Sequence, residues 1–159
     1  MATLFGPSEV IDLGIEKEKK RRDFYASVAE RFPEPEMKDL FSRLRDWEDT
    51  HIEKFARIRE GLQQTETRQS YTGETQSYMN ALVDDRLYDE ISPERFSQTV
   101  KTPLAAVRYG MSFEKDAILF FSEFLPLVAD TRKDVIRELI EEEKQHLVYL
   151  HQMKVDLSG

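Results

Sequence analysis

A repeating pattern of apolar residues constrains the fold of this chain more than any other feature. From residue 37 to residue 62 the pattern advances by alternating steps of four and three, the spacing of a helix face that packs inside a bundle. Its members are Met37, Phe41, Leu44, Glu48, His51, Phe55, Ile58 and Leu62. Two of these positions carry ionisable side chains, although the pattern predicts that they face a core.

The same spacing recurs near the end of the chain and in two further segments. One run consists of Ile136, Leu139, Glu143, His146, Leu150, Met153 and Leu157. Another consists of Val107, Met111, Glu114, Ile118, Phe121, Leu125 and Val128. A third, with steps of seven, consists of Leu4, Ile11, Glu18, Tyr25 and Phe32. We therefore predict four amphipathic helices whose shared core contains four Glu and two His side chains.

Turn signals place the boundaries of these helices. Pro7 and Ser8 before Glu9 predict the start of the first helix, which should run to about Phe32. The segment 33–35 separates it from a second helix, which should end near Gly61, where a glycine commonly closes a helix. Thr102 and Pro103 supply a cap and a first residue for the third helix, which should run to residues 127–130. Thr131 to Leu157 should form the fourth.

The segment between the second and third helices is polar and about forty residues long. Short helices are predicted near residues 75–87 and 92–95. A connection of about forty residues exceeds the few residues that link adjacent antiparallel helices. We therefore predict an all-α four-helix bundle of two helical hairpins joined by a long crossover, as a single domain over residues 1–159.

Charge and composition exclude several classes of function. A net charge of -8 disfavours nucleic acid and anionic membranes as partners. The sequence contains no Cys, which excludes thiol catalysis and thiolate metal sites within these residues. The longest apolar run, residues 117–121, is too short to cross a membrane. We predict a soluble cytoplasmic protein.

The buried acids and histidines need compensation, because an isolated charge in an apolar core costs several kcal/mol. Metal cations bound by these side chains are expected to supply the compensating positive charge. In each Glu-x-x-His motif the two side chains project from one helix face. Glu18 and Glu48 lie fifteen residues either side of Pro33, so folding the first hairpin brings them level. Four carboxylates and two imidazoles suit two ions of iron or manganese.

The two halves of the chain also resemble each other. Glu18 aligns with Glu114 at a shift of 96 residues, and the two Glu-x-x-His motifs align at a shift of 95. Such self-similarity indicates an internal repeat. It also matches the predicted ligands of one hairpin with those of the other.

Several neighbouring residues have simpler interpretations. Residues 17–22 are a basic run that predicts a solvated helix face. Within it, Arg22 could hold Glu18 in a surface ion pair, and Glu16 could take the role of Glu18 as the ligand from the first helix. Tyr25 is predicted to pack in the core, with hydrogen bonding to a ligand as the alternative. His151 lies off the apolar face and is predicted to be on the surface.

One Glu from each of two helices and Glu-x-x-His from each of two others is the ligand set of ferritin-like di-iron carboxylate bundles. The chain resembles the rubrerythrin family of that superfamily over essentially its whole length. The predicted metal ligands are Glu18, Glu48, His51, Glu114, Glu143 and His146. The resemblance implies two iron ions, with manganese or a mixed pair as alternatives.

The resemblance also implies roles for these residues. Glu48 and Glu143 would bridge the metals, Glu18 and Glu114 would bind terminally, and each His would bind one ion. The substrate would be hydrogen peroxide or dioxygen. Ala117 stands where the rubrerythrin pattern has a further carboxylate, and the four Cys of a rubredoxin-like tail are absent. We therefore expect electrons from a separate donor protein. Because a long connection joins the two hairpins, we also expect a homodimer, which can form by exchange of the crossover.

Three functions remain open from the sequence. The first is a di-iron enzyme that reduces peroxide or dioxygen. The second is ferrous-iron oxidation or iron handling with the same ligands. The third is a helical bundle that binds metal or a partner without turnover.

Overall fold

Four long helices make up most of the part of the chain that the structure describes. The computed structural model describes residues 7–63, 74, 77–78, 81–82, 86–128 and 130–159. The long helices are α1 (Pro7–Arg31), α2 (Pro35–Gln63), α5 (Pro103–Phe124) and α6 (Asp130–Ser158). Between them lie α3 (Arg86–Asp89) and α4 (Pro93–Thr99), and a 3-10 turn (Leu125–Leu127) follows α5. The described part of the chain contains no strand, which confirms the predicted all-α class.

The long helices pack as two hairpins, α1 with α2 and α5 with α6. The predicted cap of α5 is present, because the Thr102 hydroxyl accepts a hydrogen bond from the Ala105 amide at 3.1 Å. Helix α2 begins at Pro35 as predicted and continues to Gln63, two residues beyond the predicted end near Gly61. No described glycine has a positive φ, so Gly61 does not adopt the left-handed conformation that would end the helix.

Two apolar clusters fill the bundle, one on each side of a polar layer. Towards one end they include Tyr25, Phe41, Leu44, Val107 and Leu150. Towards the other they include Ile11, Phe55, Phe121, Ile136 and Leu139. The polar layer between them contains the buried Glu and His side chains that interrupt the apolar pattern, together with Arg21.

The predicted apolar faces are correct for most of their length, but Leu125 and Met153 are only partly buried, and the faces of α5 and of the end of α6 need further correction. On α5, Met111 and Ile118 are only partly buried, and the buried line runs through Gly110, Phe113, Ala117, Phe120 and Phe124. On α6, Leu157 is 39% exposed because it lies in the last turn of the helix. Leu4 and the side chain of Leu62 lie outside the described residues.

Described parts of the crossover pack against the bundle. The Tyr88 ring of α3 stacks on Phe113 of α5, with ring centroids 4.6 Å apart. Helix α4 begins at Pro93, as the sequence predicts. The predicted helix at residues 75–87 lies mainly outside the described residues, as does much of the span 63–101. No described helix combines the length and the apolar character needed to cross a membrane.

Candidate metal centre

All six predicted ligands meet in the polar layer at the centre of the bundle. The four carboxylates are fully buried, and the two imidazoles are at most 3% exposed. They form two groups in which the potential ligand atoms lie within 4.8 Å of one another. One group is Glu18, Glu48, His51 and Glu143, and the other is Glu48, Glu114, Glu143 and His146. Glu48 and Glu143 belong to both groups.

Both imidazoles turn the same nitrogen towards the carboxylates. Nδ1 of His51 lies 2.8 Å from Oε1 of Glu143 and 3.7 Å from Oε2 of Glu18. Nδ1 of His146 lies 3.2 Å from Oε2 of Glu143 and 3.6 Å from Oε1 of Glu114. The two rings are nearly parallel, with centroids 5.5 Å apart. Each Nδ1 therefore points to the space that its own group surrounds.

Several oxygens of the cluster have no hydrogen-bond donor among the described residues. They are Oε2 of Glu18, both oxygens of Glu48 and Oε2 of Glu114. A buried carboxylate oxygen without a partner is costly, and its usual partner is a donor or a metal ion. Oxygen and imidazole nitrogen are ligands that suit iron or manganese. The residues present thus fit a pair of such ions, although their role as ligands stays a prediction.

The acids and imidazoles shift one another's protonation. Burial and the nearby Glu143 raise the pKa of Glu114 well above its usual value. Burial alone would lower the pKa of His146, but hydrogen bonds with Glu114, Glu143 and Glu48 raise it to about 11. The pKa of His51 is also raised well above its usual value, since Glu143 and Glu142 outweigh the effect of burial. Without metal, the site therefore holds protons that an incoming cation must displace.

Two residues outside the six predicted ligands form hydrogen bonds with them. The Tyr25 hydroxyl donates to Oε1 of Glu114 at 2.6 Å. This is the hydrogen bond to a predicted ligand that the sequence analysis gives as the alternative to simple packing. Glu142, which sequence reasoning missed, places Oε2 at 2.6 Å from Nε2 of His51. Lys54 donates to the other oxygen of Glu142 at 3.0 Å. Three consecutive Glu residues precede Lys144, and no pattern in the sequence singles out the middle one.

A family comparison agrees with this geometry. The family model described as Rubrerythrin matches residues 9–154. The chain belongs to the rubrerythrin family. Membership confirms the resemblance and makes the protein a ferritin-like member of a di-iron family. No curated protein and no solved structure matches the chain significantly.

This rubrerythrin-family chain carries a buried arginine beside the cluster, where the sequence predicts a solvated face. Arg21 is fully buried, pairs with Oε1 of Glu18 through Nη2, and donates to the Tyr88 hydroxyl at 2.8 Å. The prediction for residues 17–22 is therefore wrong for Arg21 and for Lys17, which is 7% exposed. Arg21 follows Glu18 by three residues, so both lie on the inward face of α1. That spacing is the signal that could have identified it.

The other competitors expected around Glu18 lie elsewhere. Arg22 pairs with Asp49 at 3.2 Å and with Asp23 at 3.1 Å, both on the surface. Glu16 is exposed and pairs with Lys19. Neither residue takes part in the buried cluster of this rubrerythrin-family protein.

A surface pocket borders the His146 imidazole. Its volume is about 310 Å³, and its lining includes Trp47, Thr50, Lys54, Glu142, Gln145 and His146. The Trp47 indole stacks on the His146 ring at 4.9 Å with an interplanar angle of 9°. The pocket therefore approaches the predicted ligands of this rubrerythrin-family chain from solvent, and His146 and Glu142 separate it from the buried carboxylates.

Proposed function

We propose that the protein is a di-iron oxidoreductase that reduces hydrogen peroxide or dioxygen with electrons from a separate donor protein. The observation that carries this proposal is the overlap of two buried Glu/His groups at Glu48 and Glu143. Two shared carboxylates would hold two cations side by side, each with one imidazole of its own. The unpartnered oxygens of the cluster support a role as ligands.

When bound, two iron ions would supply one electron each, which matches the two electrons needed to cleave the O–O bond of a peroxide. Reduction of hydrogen peroxide consumes two electrons and two protons and yields two water molecules. The chain holds the ligands in register, because Tyr25 orients Glu114 and Glu142 orients His51. The apolar clusters on both sides of the site keep bulk water away from it.

The pocket beside His146 is the proposed approach for the oxidant. Peroxide and dioxygen are small compared with its volume of about 310 Å³. Thr50 and Gln145 supply polar groups at its wall. Larger substrates would meet His146 and Glu142 before reaching the carboxylates, which favours a small oxidant.

The partners follow from the same proposal. The 159 residues contain no Cys and hence no rubredoxin-type iron centre, so electrons would arrive from another protein. We also propose a homodimer, formed with or without exchange of the crossover, in the cytoplasm. Nucleic acid and membranes are not proposed as partners, because the chain carries a net charge of -8.

Ferrous-iron oxidation is the second candidate, and one residue favours it. Ala117 is fully buried on α5 and cannot supply the further carboxylate of the rubrerythrin pattern. The ligand exchange that this carboxylate implies for peroxide reduction is then unavailable to the chain. A helical bundle that binds metal without turnover is the third candidate.

Turnover measurements separate the three. The metal-free protein is loaded with Fe²⁺ under anaerobic conditions, and hydrogen peroxide is added with and without an electron donor. We expect repeated peroxide consumption that depends on the donor. A single oxidation of the bound iron without further turnover would favour ferrous-iron oxidation instead. Two bound ions that react with neither peroxide nor dioxygen would leave only the non-catalytic bundle.

A further inference from the structure

Arg21 places a permanent positive charge within the cluster of predicted ligands. Its side chain is fully buried, and a guanidinium stays protonated at every pH at which proteins fold. Nη2 donates to Oε1 of Glu18, and Nε lies 3.7 Å from Oε2 of Glu48. A charge this close acts on any cation that the same carboxylates bind.

The contacts of Arg21 are unequal between the two groups. Glu18 belongs only to the group that contains His51. A cation in that group would share Glu18 with a guanidinium of like charge. In the group that contains His146, the corresponding carboxylate is Glu114, and its partner is the neutral hydroxyl of Tyr25. One position thus faces a competing cation, whereas the other faces a neutral donor.

The crossover holds Arg21 in this place. Nη1 of Arg21 donates to the Tyr88 hydroxyl at 2.8 Å, and that hydroxyl lies 3.5 Å from Oδ2 of Asp116. The Tyr88 ring is itself fixed by its stacking on Phe113. Because Arg21 is anchored on two sides, its charge cannot leave the Glu18 side of the cluster without breaking buried hydrogen bonds.

We propose that Arg21 makes the two metal positions unequal. The position formed by Glu48, Glu114, Glu143 and His146 fills first, and the position that uses Glu18 and His51 fills second and more weakly. The inference rests on the proposed two-metal function and deepens it. At limiting metal the protein holds one ion, and two-electron chemistry begins only when metal is abundant enough to fill the position beside Arg21.

Trp47 provides a direct report of which position is filled. It is the only Trp in the sequence, and its ring stacks 4.9 Å from the ring of His146. A metal bound by His146 should therefore change its fluorescence more than a metal bound by His51. The test is a titration of the metal-free protein with Co²⁺, which takes nitrogen and oxygen ligands. Calorimetry counts the binding steps while fluorescence assigns them.

For the natural sequence we expect two binding steps, and the change in Trp47 fluorescence should be complete at the end of the tighter step. Arg21→Met removes the charge and keeps an unbranched, flexible side chain. It should tighten the weaker step by about tenfold or more, the size of effect seen when groups around metal ligands are changed. Arg22→Met, which removes the neighbouring surface charge, should leave both steps unchanged. Circular dichroism checks that each variant is folded.

Other results would overturn the inference. They are equal affinities for the two ions, a Trp47 change that accompanies the weaker step, or an unchanged weaker step in a folded Arg21→Met protein. If Arg21→Met does not fold, Glu18→Gln tests the same assignment, because it should remove the weaker step and keep the tighter one with its Trp47 change. Loss of the tighter step in folded Glu18→Gln protein contradicts the order. Two ions bound with equal affinity would reject only the role of Arg21. Absence of Co²⁺ binding would reject the two-metal function as well.

Discussion

Oε2 of Glu142 lies 2.6 Å from Nε2 of His51, on the side of the ring opposite to the candidate metal centre. Nδ1 of the same imidazole lies 2.8 Å from Glu143. The ring is thus held between an outer carboxylate and an inner one. An outer carboxylate of this kind fixes the tautomer and orientation of a metal-binding histidine, because it accepts the proton of the nitrogen that does not bind metal.

Replacement of Glu142 should weaken metal binding without unfolding the protein. Glu142→Gln removes the negative charge of the carboxylate that accepts a hydrogen bond from His51. We expect the metal affinity of the position that contains His51 to fall by about 10- to 100-fold. Glu141→Gln is the matched control, because Glu141 is exposed and pairs only with Lys144 among the described residues. Metal titration of both variants measures the effect. Equal affinities in the two variants would show that Glu142 does not position His51.

Replacement of Glu143 should affect both metal positions, since its carboxylate belongs to both groups. Glu143→Ala should lower the metal content from two ions to one or none, and it should abolish the proposed peroxide reduction. His151→Ala is the control, because His151 is exposed and lies outside the cluster. Elemental analysis and peroxide consumption are measured on the same samples. Two metals and full turnover in folded Glu143→Ala protein would refute a shared site.

Removal of metal should lower the melting temperature. The predicted ligands come from all four long helices, so a bound ion would stabilise only the folded state. With free metal a hundredfold above its dissociation constant, the gain is about 2.7 kcal/mol. The measurement compares thermal unfolding of the metal-loaded protein with that of protein treated with a chelator. An unchanged melting temperature in protein shown to have lost its metal would contradict this prediction.

Periodicity was sufficient to predict the four helices and the residues that meet at their centre. Glu48 and His51 replace apolar residues at positions that must face the core, and this makes them visible in the sequence. The same rule extends to Glu143 and His146. The burial of all four follows directly from their place on the helix face.

The spacing of apolar residues does not identify Arg21 or Glu142. Each lies in a run of like charges, where several residues are equally suited to a solvated face. Their roles depend on contacts with other helices, namely Tyr88 of α3 for Arg21 and His51 of α2 for Glu142. Such contacts depend on how the helices are rotated against one another, which the spacing of apolar residues determines only coarsely.

Metal binding should release protons. In the metal-free protein the pKa of His146 is raised to about 11, so its imidazole is protonated at neutral pH. A metal-binding imidazole must be neutral, and the proton leaves as the ion binds. The apparent metal affinity should therefore rise with pH, by up to about tenfold per pH unit for each proton released. Titration in weakly buffered solution with a pH indicator measures the release.

The same shift has a consequence for the metal-free fold. A His whose pKa is higher in the folded state contributes stability that is complete below its unfolded pKa of about 6.5. That contribution is lost as the pH rises through the folded value of about 11. His146→Ala should therefore remove this residue's contribution to the pH dependence of the free energy of unfolding, and fewer protons should be released when metal is added. Proton release equal to that of the natural sequence in folded His146→Ala protein would place the displaced proton on another group.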